Sequence, residues 1–202
     1  MNYIFINPVT DAMFDSDDLE KYLAQRDCKR VYCNEPWVDV VLNKYKYILD
    51  NTAKCVVDMR CPAAAMEAGK HKHENLVFPD IHPILIHCGI ELSERQDLKD
   101  AKKIITTPCD ALADYGNALG LDNTEFVSWN KWYYNGNDMI KPKVISKSPL
   151  PLGFFEKLKY PVKSLTGRDV ITSFFEKENF GDYRLLEMLL CHEGCHNGDG
   201  VC

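Results

Sequence analysis

The stretch KIITTPCDALADYGNALGLDNTEFVSW, residues 103–129, carries the pattern that decides the fold. Its first five residues are β-branched or flank β-branched residues, which predicts a buried strand over 103–107. Residues 110–119 have helical character, and residues 124–129 predict a second strand. A strand, a helix and a strand in this order are typical of two parallel strands joined by a crossover helix. The stretch therefore predicts an α/β protein.

The same alternation continues on both sides of this stretch. Further strands are predicted at residues 3–6, 30–32, 55–58, 84–87 and 162–165. Helices are predicted at residues 16–25 with Ser16 as the cap, 37–49, 62–67, 93–101, 166–175 and 183–190. Strands rich in Val and Ile that alternate with helices predict a mainly parallel sheet with helices on both faces. We expect one domain over residues 1–202, with a loop insertion at 130–161.

Composition excludes several classes of protein. The formal net charge is -6 and no extended Lys/Arg cluster is present, which argues against a nucleic-acid partner. No apolar run approaches the roughly 18 residues that a membrane span needs. The N-terminal residues lack the pattern of a signal peptide. We therefore expect a cytoplasmic protein that binds neither membrane nor nucleic acid.

The cysteines indicate a metallocofactor. The chain has nine cysteines, and an odd number without a secretory signal is a poor fit to a disulfide framework. In LLEMLLCHEGCHNGDGVC, residues 185–202, three residues separate Cys191 from Cys195. Thiolates suit iron–sulfur clusters or zinc, and Gly194 and Gly198 allow tight turns that direct amides at an anionic cluster. His192 also lies in this segment, and we interpret it and His196 as exposed loop histidines, with metal ligation as the alternative.

Two other cysteines follow predicted strands. Cys33 comes after the strand at 30–32, and Cys109 comes after the strand at 103–107. Ligands of parallel sheets bind at the carboxyl ends of strands, so both are candidates to share a site with Cys191 and Cys195.

The remaining cysteines are assigned less directly. Cys28, Cys61 and Cys202 are alternatives to Cys33 as a ligand. Cys55 and Cys88 are interpreted as core thiols, because unligated cysteine is a common buried residue.

Four segments resemble one family. They are CNEPW (residues 33–37), MRCPAAAM (59–66), ITTPC (105–109) and EMLLCHEGCHNG (187–198). In this order they are similar to the C-terminal, cluster-binding domain of iron-only ([FeFe]) hydrogenases and their hydrogenase-like relatives. The likeness covers about residues 30–201, and its last motif is the most specific.

The resemblance implies a ligand set and a partner. The family holds a [4Fe–4S] cluster with four cysteines, which by position are Cys33, Cys109, Cys191 and Cys195 here. Cys195 would be the ligand that bridges to a two-iron subsite. A ferredoxin or a partner subunit would exchange electrons with the cluster.

The sequence departs from the family at the two-iron subsite. Leu112 stands where the family has a lysine that binds a ligand of this subsite, and Asp114 only approximates a nearby glutamate. Tyr32 precedes the first ligand, where catalytic members have a cysteine. An anionic diiron centre without its cationic partner would be poorly held. We therefore expect a [4Fe–4S] protein without a functional diiron subsite, active in electron transfer or redox sensing in an anaerobe.

Three alternatives remain open at this point. The chain could be a working ferredoxin-type [FeFe] hydrogenase or a fragment of one, so the sequence leaves open whether it is an enzyme. It could be a zinc-stabilised structural or interaction domain, with Cys191, Cys195 and either His196 or Cys202 as ligands. It could also be an enzyme with Cys191 or Cys109 as nucleophile.

Overall fold

The structure, a computed structural model, describes residues 1–71, 73–134, 140–143, 148–177, 180–192 and 194–195. In these residues the strands are β1 (Asn2–Phe5), β2 (Cys28–Arg30), β3 (Cys55–Val57), β4 (Leu76–Val77), β5 (Lys103–Thr107), β6 (Thr124–Ser128), β7 (Val162–Thr166) and β8 (Leu185–Leu189). The helices are α1 (Pro8–Met13), α2 (Ser16–Gln25), α3 (Trp37–Asn51), α4 (Pro62–Ala68), α5 (Ile84–Glu94), α6 (Asp110–Asn117), α7 (Trp129–Tyr134) and α8 (Arg168–Glu176). The α/β prediction with parallel strands and flanking helices is confirmed.

The chain forms two compact units. Unit 1 contains residues 1–34 and 85–150 together with Cys195, and unit 2 contains residues 35–84 and 151–194. Each unit is built on a four-stranded parallel sheet, with the strand order β2-β1-β5-β6 in unit 1 and β4-β3-β8-β7 in unit 2. The single domain over 1–202 stays a prediction.

Unit 1 has an apolar cluster on each face of its sheet. Ile4 of β1 pairs with Ile104 of β5, and both belong to a cluster with side chains of α1, α2 and α7. Ile105, the next residue along β5, belongs to a second cluster with side chains of α5 and α6. Successive side chains of a strand point to opposite faces, so one β-branched run stabilises both layers.

A phenylalanine holds two helices of unit 1 close together. Phe126 of β6 is buried between Gly89 of α5 and Gly116 of α6. A Cβ atom at Gly89 would lie 2.2 Å from the ring, and one at Gly116 would lie 2.4 Å from it. Since no real Cβ contact is this short, both positions require glycine at the present helix spacing.

The helix predicted at residues 183–190 is wrong, because this segment contains the strand β8. All five residues of β8 are buried. Leu185 packs in one apolar cluster of unit 2, whereas Leu186 and Met188 pack in the other. A central strand with both faces covered is apolar throughout, and its sequence then resembles a buried helix.

The reverse error occurs at residues 84–87. They were predicted as a strand, but they begin helix α5, and a 3-10 turn over Gln96–Leu98 follows where the helix at 93–101 was expected. Leu85 and Leu92 are buried seven residues apart, which is two helical turns. A short apolar run alone does not distinguish the two structures.

Smaller differences concern the ends of elements. The carboxylate of Asp15, not the hydroxyl of Ser16, caps α2 by accepting a hydrogen bond from the Asp17 amide at 3.0 Å. Strand β2 begins at Cys28, before the predicted segment at 30–32, and β4 was not predicted. Helix α7 lies at the start of the predicted insertion.

Candidate functional site

The described cysteines fall into two classes of exposure. None of them is in a disulfide. Cys28, Cys55 and Cys88 are buried in the core. The other five are partly exposed: Cys33, Cys61, Cys109, Cys191 and Cys195. All four predicted cluster ligands belong to the partly exposed class.

Unit 1 brings Cys33 and Cys109 to the same edge of its sheet. Cys109 follows β5 and is the N-cap residue of α6, and Cys33 follows β2 by three residues. Because all four strands are parallel, their carboxyl ends define one edge, here called the carboxyl edge of unit 1. Both cysteines also pack against the same apolar cluster.

Hydrogen bonds fix the backbone around Cys109. The Thr107 hydroxyl donates to the Cys109 carbonyl oxygen at 2.8 Å, which holds the turn between β5 and α6. The Ser128 hydroxyl at the end of β6 donates to the Asp110 carboxylate at 2.7 Å. Lys131 forms an ion pair with the same carboxylate at 2.7 Å. The position of Cys109 is therefore set by its neighbours on two strands.

The segment around Cys33 is tied to helix α5. The Asn34 amide donates to the Glu91 carboxylate at 2.6 Å, and Arg95 donates to the Tyr32 carbonyl oxygen at 2.9 Å. The Cys33 thiol lies 4.0 Å from the Cys88 carbonyl oxygen. A hydrogen bond between the two thiols, together with burial, raises the pKa of Cys88. Cys33 and Cys88 are thus direct neighbours, although Cys88 was predicted to be a core thiol only.

Asn7 is a polar residue of this edge that was not singled out from the sequence. It follows β1, is fully buried, and its side-chain oxygen accepts hydrogen bonds from the Val9 and Thr10 amides. Its own amide donates to the Thr106 hydroxyl at 2.8 Å. Asn followed by Pro8 is a signature of a helix start that could have revealed it. Asn7 lies between β1 and β5, where chain order reverses in the sheet.

Unit 2 brings Cys61 and Cys191 to its own carboxyl edge. Strands β3 and β8 are neighbours, Cys61 follows β3, and Cys191 follows β8 after Leu190. Burial raises the pKa of the Cys61 thiol, while the backbone amides of Leu190 and Ala64 at its sulfur lower it in part. Cys61 also packs against the apolar cluster of this unit. The structure thus adds a thiol next to the predicted ligand Cys191.

Only part of the predicted C-terminal motif is described. Gly194 has a φ of 129°, a conformation that favours glycine. The Cys195 amide donates to the Leu150 carbonyl oxygen at 3.2 Å, within unit 1. The His192 ring is exposed and packs directly on Gly167, where a Cβ atom would lie 2.4 Å from it. His196, Gly198 and Cys202 lie outside the described residues.

A buried ionic network lies beside the cysteines of unit 2. Arg60 contacts Asp58 at 2.8 Å and Glu187 at 3.1 Å, and both carboxylate side chains are at most 1% exposed. Burial alone would lower the pKa of Arg60, but the two carboxylates raise it overall. Glu187 also accepts hydrogen bonds from the Gly153 and Phe154 amides, each at 2.9 Å. The network was not predicted, since the sequence shows Glu187 only as a motif residue.

The three positions at which the sequence departs from the iron-only hydrogenases hold one buried apolar residue and two exposed residues. Leu112 is buried in an apolar cluster of unit 1. Tyr32 is 61% exposed, and the Arg30 guanidinium lies 4.9 Å from the centre of its ring. Asp114 is exposed on α6.

Cys28 and Cys55 begin their strands. They lie at the amino ends of β2 and β3, away from the carboxyl edges of units 1 and 2. Burial raises the pKa of Cys55 to about 12. Cys28 is therefore poorly placed to replace Cys33 as a ligand.

No known protein-family model matches the sequence, and a search of curated proteins finds no match. Within the described ranges, no group of three or more His, Cys, Asp or Glu side chains could hold a metal ion. In the same part of the chain, no helix has the length and apolar character needed to cross a membrane.

Proposed function

We propose that the protein binds a [4Fe–4S] cluster through Cys33, Cys109, Cys191 and Cys195. One observation carries the proposal: these four thiols are all partly exposed, as is Cys61, whereas Cys28, Cys55 and Cys88 are buried. A ligand must reach a cofactor that enters from solution, so partial exposure at strand ends suits ligation. Buried thiols, at the strand starts of Cys28 and Cys55 and within helix α5 for Cys88, suit packing.

The chemistry of the donor set fits such a cluster. Four cysteine thiolates are the usual ligands of a [4Fe–4S] centre, which when bound supplies one-electron transfer. Thiols are present at the carboxyl edge of unit 1 and at that of unit 2. Hydrogen bonds from backbone amides to the sulfurs would adjust the reduction potential. We propose electron transfer or redox sensing with a ferredoxin or a partner subunit in an anaerobic cytoplasm.

Leu112 supports a cluster without a diiron subsite. The family lysine at this position would supply a positive charge, but Leu112 belongs to an apolar cluster with Ile105 and Phe126. Another residue would have to supply the positive charge that stabilises a diiron centre. Hydrogen uptake by the matured, iron-loaded protein would overturn this part of the proposal and establish a hydrogenase.

The test is metal analysis of anaerobically purified protein. We expect about four iron and four acid-labile sulfide per chain, with an EPR signal after reduction by dithionite. The variant Cys195→Ser should lose the iron and the signal. Cys28→Ser is the matched control, because a serine hydroxyl can still donate to the Arg26 carbonyl oxygen that the Cys28 thiol contacts at 3.4 Å.

Two outcomes would contradict the assignment. Equal iron content in Cys195→Ser and Cys28→Ser would show that Cys195 is not a ligand. Zinc without iron in the wild-type protein would replace the cluster by a structural zinc site.

A further inference from the structure

Strand β7 forms an outer edge of the unit 2 sheet, where its neighbour is β8. The Pro161 carbonyl oxygen accepts a hydrogen bond from the Leu185 amide at 3.3 Å. The Gly167 amide donates to the Leu189 carbonyl oxygen at 3.2 Å. Because the direction of the backbone groups alternates along a strand, the odd-numbered residues of β7 face β8 and the even-numbered residues face away from it. The outward residues are Val162, Ser164 and Thr166.

The outward backbone groups of β7 are unpaired. Among the hydrogen bonds of the described residues, none reaches an N–H or C=O group of Val162, Ser164 or Thr166. Ser164 is exposed, although its hydroxyl donates to the buried Glu187 carboxylate at 2.9 Å. Since this side chain is turned onto the sheet, solvent reaches the backbone of Ser164. Unpaired backbone groups along an edge are a template for pairing with another chain.

The other outer strands of the described sheets are short or covered. Strands β2 and β4 have three and two residues. Strand β6 has five residues, as β7 does, but the Asn117 side chain covers its outer edge. It accepts a hydrogen bond from the Phe126 amide and donates to the Phe126 carbonyl oxygen, both at 2.8 Å. Short and covered edges do not pair with other chains, so β7 is the edge that is suited to pairing.

Helix α8 places an apolar side chain beside this edge. It packs on β7, whereas α4 packs on β8, so the side of α8 turned away from α4 faces the edge. Arg168 and Thr172 both contact Glu67 of α4. Val170 lies about half a turn from both residues and is therefore on the edge side, where it is 48% exposed. Burial of Val170 would add an apolar contact to strand pairing.

We propose that two copies of the chain pair through β7 in antiparallel orientation, about a two-fold axis that passes through Ser164 perpendicular to the sheet. The outward residues are symmetric about Ser164, so the strand of the second copy presents acceptors to the donors of the first and donors to its acceptors. Val162 then pairs with Thr166 of the second copy. The two four-stranded sheets become one continuous sheet, with one antiparallel pair between two parallel sets.

The side chains of β7 are compatible with this pairing. Lysine on an edge strand can prevent pairing, and β7 contains Lys163. Its ammonium lies 5.7 Å from the centre of the Tyr183 ring, over a side chain of the sheet rather than beyond the edge. In the antiparallel register Lys163 lies opposite Leu165 of the second copy, so no like charges are opposed. Both α8 helices lie on the same face, with Val170 of each directed toward the axis.

The test is the mass of the full chain in solution, measured by analytical ultracentrifugation over a range of concentrations. A reductant excludes intermolecular disulfides. We expect twice the chain mass of 23.2 kDa at high concentration. Two variants should remain monomers. Val170→Lys brings two ammonium groups together near the axis, and Thr166→Pro removes an outward N–H group without removing a hydrogen bond to β8.

Val38→Lys is the matched control. Val38 is 54% exposed on α3, and α3 packs on the opposite face of the sheet. This variant should form the dimer as the wild type does. Circular dichroism tests whether each variant is folded, and Val170→Lys changes only an exposed helix position.

Two results would overturn the proposal directly: a wild type that is a monomer at every concentration, or a dimer that persists in both edge variants. Hydrogen exchange identifies the strand, because the amides of Val162, Ser164 and Thr166 should exchange more slowly in the dimer than in the Val170→Lys monomer. Equal rates would place the contact elsewhere and contradict pairing through β7. A monomer whose β7 amides are protected by a synthetic peptide of residues 161–167 would assign the edge to an extended peptide instead. Pairing does not depend on the cluster, and iron is measured on a separate sample.

Discussion

The two sheets share an architecture but stabilise their carboxyl edges in different ways. In unit 1, the buried polar groups of this edge are neutral, since Asn7 is hydrogen-bonded to Thr106, whereas the ion pair of Asp110 and Lys131 is partly exposed. In unit 2, the corresponding edge depends on the buried charges of Asp58, Arg60 and Glu187. The parallel fold thus sets where polar groups gather, and the local sequence sets whether they are neutral or charged.

The difference predicts that different kinds of substitution destabilise the two units. The stability of an edge with neutral polar groups depends mainly on how well its side chains pack, because each hydrogen bond contributes only about 0.5–1.5 kcal/mol to the free energy of unfolding. A buried ionic edge depends on charge balance, because one missing partner leaves another charge uncompensated.

The largest effect is expected at Arg60. Arg60→Met keeps the length of the side chain but leaves the carboxylates of Asp58 and Glu187 buried without their cation. We expect a loss of about 3–5 kcal/mol in the free energy of unfolding, measured by urea denaturation. The control is Lys131→Met, which removes an ion pair whose lysine side chain is 64% exposed and should cost about 0–1 kcal/mol. Similar losses in the two variants would remove the contrast between buried and exposed charge.

A smaller effect is expected from packing in unit 1. Gly89→Ala places a Cβ atom 2.2 Å from the buried Phe126 ring and should destabilise the protein by about 1–3 kcal/mol. In Gly181→Ala of unit 2, no heavy atom lies within 4 Å of the new Cβ. Its midpoint of thermal unfolding should therefore remain near that of the wild type. Equal midpoints for the two variants would mean that α5 can move away from the sheet.

The smallest effect is a change in the pH dependence of stability at Glu67, a buried carboxylate of unit 2. A hydrogen bond from Lys70 and the charge of Arg168 lower the pKa of Glu67, although burial opposes them. A carboxyl group with a lowered pKa in the folded state stabilises the protein above its unfolded pKa of about 4.3. This contribution is lost as pH falls through the folded pKa. Unfolding measured from pH 6 to about pH 3 should show a weaker pH dependence in Glu67→Gln than in the wild type.

Much of the secondary structure could be predicted because local signals were consistent. The bounds of β5 were predicted without error, since residues 104–107 are β-branched and a Pro and a helix start follow. The errors at α5 and β8 have one cause, which is that both segments are apolar and buried on most sides. Periodicity distinguishes a helix from a strand only where one face is polar.

Candidate site residues could be predicted only where they carried a motif. The cysteines were visible because thiols are rare and their spacing is informative. Asn7 and Arg60 were not, since a single polar residue in a sequence does not show which partner it will meet. The contact between Cys33 and Cys88 was also hidden, because it joins residues 55 positions apart.

The sequence by itself determined the α/β class, most strand positions and the set of thiols that could hold a cofactor. These properties follow from local patterns of β-branched, apolar and turn residues. Only the tertiary structure decided which thiols are partly exposed, which two are in contact, and which charges are buried together. Burial and partnership depend on residues that are distant in the chain, and the energy of a charge or a thiol is set by those neighbours rather than by its own identity.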